Sequence, residues 1–138
     1  MQKRKRFVEI EEDNGTVLRY FHHDNGGGLV DSAATVDPDA WIGSSAYVEA
    51  GATVHPRARV LTGAWVDRDA VVREDAVIGS CAHVGPHAVV GRGAHLGPRV
   101  KVGAGAHVGA GVRLAPDVVV PAGSRIPSQR TGSGRTAA

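Results

Sequence analysis

Residues 75–98 read DAVIGSCAHVGPHAVVGRGAHLGP. Cut every six residues, the stretch becomes DAVIGS, CAHVGP, HAVVGR and GAHLGP, with Ala second and an aliphatic residue fourth in each. The pattern runs without insertion from Ala33 to Ser128, sixteen hexads in all. The fourth position is aliphatic in every one, from Val36 and Ile42 through Leu96 to Val120 and Ile126. The second is Ala in twelve, Val in three (Val100, Val112, Val118) and Ser once, at Ser124. Repetition at a fixed short period over most of a chain is the mark of stacked coils.

Positions two and four lie two residues apart, so on an extended backbone they point the same way. One is small and the other aliphatic. The residue between them points outward and varies freely, as Thr35, Trp41, Tyr47, Arg59, His83 and Lys101 show. The remaining positions hold Gly, Pro, Asp, Ser and Ala, which favour turns. Each hexad is therefore a short strand and a corner. A single hexad cannot bury its aliphatic side chain, but hexads stacked at the ladder spacing of about 4.8 Å can. Three per coil give a period of about 18 residues, which places Asp39, Arg57 and Asp75 in one column of alternating charge. The hexads then make slightly more than five coils, and their narrow interior accounts for the Ala column.

Composition agrees. The chain has 138 residues, one domain's worth, with 19 Gly and 4% aromatic residues. That disfavours a helical bundle or a dinucleotide-binding α/β enzyme. One cysteine, Cys81, excludes an intrachain disulfide and fits a reducing compartment. No apolar run reaches the length of a membrane span, and the basic start Lys3–Arg6 is followed by acidic residues rather than an apolar signal core. The expectation is a cytoplasmic protein. The net charge of +2 hides an asymmetry: residues 7–75 hold 13 acidic and 5 basic residues, residues 76–138 hold 1 and 7. The basic C-terminal half points to an anionic small-molecule partner. Nucleic acid is not favoured, for want of a basic helix, a zinc motif or a basic sheet interleaved with aromatics.

Residues 7–21, FVEIEEDNGTVLRYF, predict a β-hairpin turning at Asn14-Gly15. With the following GGGLVDS it would cap the open strand edge of the coils. The expected organisation is residues 1–32 as basic start and cap, 33–128 as coils, and 129–138 as a disordered tail. Pro121 and Pro127 would end strand pairing.

The hexads, in stretches such as IGSSAYVEAGATV and VGPHAVVGRGAHLG, resemble the hexapeptide-repeat superfamily. That resemblance implies an all-β, left-handed parallel β-helix and, in most relatives, a homotrimer. Its chemistry ranges over acyl-CoA and acyl-carrier-protein acyltransferases, nucleotidyltransferase domains, γ-class carbonic anhydrases and non-catalytic scaffolds. A carbonic-anhydrase zinc site places two His five apart in one stretch. Here His83 and His87 are four apart, so no metal is expected, since ligand atoms must converge at about 2.0–2.1 Å.

The outward histidines His83, His95 and His107 are spaced by twelve, which puts them on three faces. His83 is the first candidate for a general base, in a column running Tyr47, Trp65, His83, Lys101, Val119, with His87 second at the adjacent corner. For an acyl-CoA donor, the resemblance implies that basic residues of the C-terminal coils meet the phosphates, which selects Arg92, Arg99, Lys101 and Arg113. Two functional readings stand. One is an acyl-CoA-dependent transferase acting on a small hydroxyl or amine. The other is a non-catalytic trimeric scaffold or binding module, favoured by the absence of any loop inserted between hexads.

Overall fold

The computed structural model describes residues 7–11 and 14–129 of the 138. The basic start at Lys3–Arg6 and all but the first residue of the expected tail lie outside the described residues. Among the described residues there is no helix. A hairpin of β1 (Phe7–Glu11) and β2 (Val17–His22) leads through β3 (Leu29–Asp31) into sixteen two-residue strands. These occupy positions three and four of the hexads, from β4 (Thr35–Val36) and β5 (Trp41–Ile42) to β17 (Arg113–Leu114), β18 (Val119–Val120) and β19 (Arg125–Ile126).

Every third strand pairs in parallel, at a register of 18 residues. Three sheets result, of eight, six and five strands. The first sheet carries β6 (Tyr47–Val48), β9 (Trp65–Val66), β12 (His83–Val84), β15 (Lys101–Val102) and β18 in succession. Its outward column is the expected Tyr47, Trp65, His83, Lys101, Val119. The second sheet runs from β4 to β19 and the third from β5 to β17. The molecule is thus a parallel β-helix of about five coils.

The core is the two inward columns. Ala40 through Ala106 and the aliphatics Ile42 through Val108 have almost no exposed surface. Position one of each hexad from Ser45 to Gly123 has positive φ, which turns the chain from one sheet to the next. Six of these fourteen are Gly, but Arg57, Asp69, His87 and Arg99 adopt the same conformation. The Asp39–Arg57–Asp75 column is realised: the Arg57 amide donates to Asp39 Oδ1 (2.9 Å) and its guanidinium to Asp75 Oδ1 (3.0 Å).

The hairpin forms as expected, Phe7 opposite Phe21 and Glu11 opposite Val17. It caps by extending the first sheet: β2 pairs antiparallel with β3, and β3 parallel with β6. Val30 stands beside Val48 in that ladder, so the coil register begins one hexad ahead of Ala33. Gly28 takes the place Ala holds elsewhere because a Cβ there would lie 2.4 Å from Ile42 Cγ2. The loop before it shields the third sheet's first strand, with Gly28 N–H on Ile42 O and Ile42 N–H on Asn25 O.

Candidate functional site

The outward face of the first sheet gathers polar groups that are far apart in sequence. An 18-residue period places Asp67, at hexad position five, diagonally next to His83, one coil later at position three. His83 Nε2 lies 3.0 Å from Asp67 Oδ2. A carboxylate only accepts, so Nε2 donates to it, and in the neutral ring Nδ1 keeps the lone pair. The ring is two-thirds covered, partly by Trp65, whose ring stacks on it at 4.2 Å between centroids and 14° between planes. Trp65 Nε1 donates to Glu49 Oε2 at 2.7 Å, and the Tyr20 hydroxyl donates to Glu49 Oε1 at 2.6 Å. Burial first, then the Glu49 carboxylate, pushes the Tyr20 phenol well above its ordinary pKa, so it stays a neutral donor. Tyr20 comes from the cap and packs edge-on against Tyr47 at 5.5 Å. Lys101 is the next rung beyond His83.

A carboxylate that fixes one imidazole nitrogen and leaves the other with a lone pair is the arrangement of a general base. It can accept a proton at Nδ1 while Asp67 stabilises the imidazolium.

The other histidines stand apart. His95 faces out on the third sheet and His107 on the second, so the three outward histidines do occupy three faces. His87 sits at the corner after β12, more exposed, with Nε2 3.6 Å from Asp69 Oδ2. His55 Nδ1 lies 3.8 Å from Glu74 Oε2.

The four cations selected for an anionic donor do not converge. Lys101 is on the first sheet and Arg113 on the third. Arg99 is at the corner between those sheets, where its guanidinium grips Asp117 at 2.7 and 3.0 Å. Arg92 lies at the corner beyond the second sheet, in an open groove of about 820 Å³. Arg73, His107 and Arg125 line the same groove, over a floor containing Gly91 and Gly109. Arg73, Asp67 and Arg125 are not among the candidates that the sequence pattern singles out. The 18-residue period could have found the two arginines: positions 73, 91 and 109 form one column, 107 and 125 another. Among the described residues, no group of three or more His, Cys, Asp or Glu is placed to hold a metal ion.

Repeat, register and core define a parallel β-helix of hexapeptide repeats, and the solved structures that superpose well on it are CoA-bound proteins of Caulobacter crescentus, one of them an N-acetyltransferase. PerB from Caulobacter crescentus, crystallised with CoA and GDP-perosamine, superposes with a TM-score of 0.67 at 29% identity over 72% of this chain and 50% of PerB. An alanine variant of GDP-perosamine N-acetyltransferase from the same organism, also with CoA and GDP-perosamine, gives 0.67 and 29% over 72% and 49%. The acetyltransferase domain of PglB from Neisseria gonorrhoeae is 29% identical over 77% and 55%, with a TM-score of only 0.31. The chain spans about half the length of the Caulobacter proteins. No family model and no curated protein matches the sequence.

Proposed function

We propose that this chain transfers an acyl group from acyl-CoA to a small hydroxyl or amine acceptor, with His83 as general base. The observation that carries this reading is the hydrogen bond between His83 and Asp67, with Trp65 stacked on the imidazole. CoA in the Caulobacter neighbours supports the donor. His83 Nδ1 takes the acceptor's proton as its oxygen or nitrogen attacks the thioester carbonyl. The new carbon–oxygen or carbon–nitrogen bond forms, the carbon–sulfur bond breaks, and the imidazolium returns the proton to the departing CoA thiolate. Asp67 holds the ring throughout.

In this reading the groove lined by Arg73, Arg92, His107 and Arg125 would take the donor's phosphates. Arg92 and Arg125 have no ion-pair partner among the described residues, so their charge is available to a ligand. Arg99 would first have to release Asp117. The groove opens on the second sheet and His83 on the first, so one chain does not hold both halves of a site. The reading therefore takes a homotrimer in which one chain's first sheet faces its neighbour's groove. Lys101, the next rung beyond His83, would meet the acceptor or donor.

The test is CoA release from acetyl-CoA across a panel of small hydroxyls and amines. The wild type should turn over at least one acceptor, and His83→Ala should lower kcat by about 10²–10⁴-fold. A second reading, a non-catalytic scaffold, is favoured by one observation: from β3 to β19 no loop interrupts the coils to shape an acceptor pocket. No turnover together with no CoA binding would select it.

A further inference from the structure

His83 belongs to a chain of contacts that starts in the N-terminal cap. Glu49 is its hinge, because each carboxylate oxygen has a separate task. Oε1 accepts from the Tyr20 hydroxyl of β2, and Oε2 accepts from the Trp65 indole of β9. Tyr20 is itself 3% exposed and braced on Tyr47, so it gives Glu49 a rigid anchor. The indole is otherwise an outward side chain, 42% exposed, on a strand of two residues. Its ring covers one face of the His83 imidazole, and Asp67 fixes the Nε2 edge. Together the two contacts define both the plane and the edge on which the ring sits. An exposed Trp without a partner at Nε1 would sample several rotamers. The carboxylate contact selects the one that stacks, and charge-assisted hydrogen bonds of this kind are the strong ones.

We propose that Glu49, anchored by Tyr20 of the cap, is a positioning residue for His83, acting through the Trp65 indole that it holds against the imidazole. The role of His83 as a base rests on the proposed transferase reading; the positioning does not. The hairpin therefore does more than close a strand edge: through Glu49 and Trp65 it orients a side chain four strands away in the same sheet.

The experiment is heteronuclear NMR of the histidine ring protons in the full chain, His83 assigned by the signal lost in His83→Ala. Stacking on Trp65 should displace the His83 ring protons upfield of the other histidines. Trp65→Leu and Glu49→Ala should abolish that displacement. Glu49→Gln should retain most of it, because its carbonyl can accept from Trp65 while its amide donates to Tyr20. Tyr20→Phe should reduce it. Unchanged His83 shifts in Glu49→Ala would overturn the proposal. So would a loss in Glu49→Gln equal to that in Glu49→Ala. Should Glu49→Ala fail to fold, Trp65→Leu and Glu49→Gln still decide. If an acceptor is found, Glu49→Ala should lower kcat about tenfold with KM for acetyl-CoA unchanged, and Glu49→Gln should restore it. Failure to bind CoA would refute the transferase reading and leave the NMR result standing.

Discussion

Val66→Ala tests the stacked-coil core most sharply. Val66 is fully buried in the first sheet, between Val48 of the coil before and Val84 of the coil after. The change removes two methyl groups from a site with no solvent contact, about 1.6 kcal/mol at roughly 0.8 kcal/mol per buried carbon. A cavity term adds to this according to how far the neighbours can close in. Here they are held off by the ladder: Trp65 N–H on Ala82 O at 2.8 Å, Asp67 N–H on Val84 O at 2.9 Å, and Glu49 N–H on Val66 O at 2.9 Å. Little collapse is available, and the total should reach about 2–3 kcal/mol. Guanidinium unfolding should show a lower midpoint with an unchanged slope. Val119→Ala is the control, on the same sheet but 65% exposed; it should stay within about 0.5 kcal/mol. Equal effects of the two substitutions, or less than about 0.5 kcal/mol for Val66→Ala, would refute the reasoning.

Other outcomes follow from the corners and the charges. Gly79→Ala would put a Cβ 2.5 Å from the backbone of Gly97 and should cost about 1–3 kcal/mol by thermal unfolding. Gly93→Asn enters open space, and Asn tolerates its positive φ, so the midpoint should barely move. Asp39, held below its ordinary carboxylate value chiefly by the Arg57 amide, Glu74, by its own backbone amide, and Asp117, by Arg99, all favour the folded state when ionised. Their folded values lie below their unfolded ones, so this contribution is present above about pH 4 and fades as pH falls through the folded values. Urea midpoints should therefore drop on acidification, and less so in Asp39→Asn; a midpoint that held or rose would contradict the assignment.

The fold was legible because its period is written in two columns at once: the aliphatics at position four, and Ala at position two wherever a larger side chain would not fit. The histidine faces and the Asp39–Arg57–Asp75 ladder follow from the same arithmetic. Val30 escaped because Gly28 replaces the Ala that marks the other hexads, and only the approach of Ile42 explains that glycine. Asp67 escaped because its contact with His83 runs diagonally between two columns, whereas the reading compared residues within one. Arg99 looked free until the register set it beside Asp117. The groove's basic residues arrive from four successive coils, so no local run of basic residues announces them.

The central claim, an acyl-CoA donor bound through the groove, is tested most directly by titrating acetyl-CoA calorimetrically into protein whose mass is fixed by light scattering. The account predicts a trimer that binds at about micromolar strength, about −8 kcal/mol, and loses binding in Arg92→Glu plus Arg125→Glu. A monomer, or no heat up to millimolar acetyl-CoA, would contradict it.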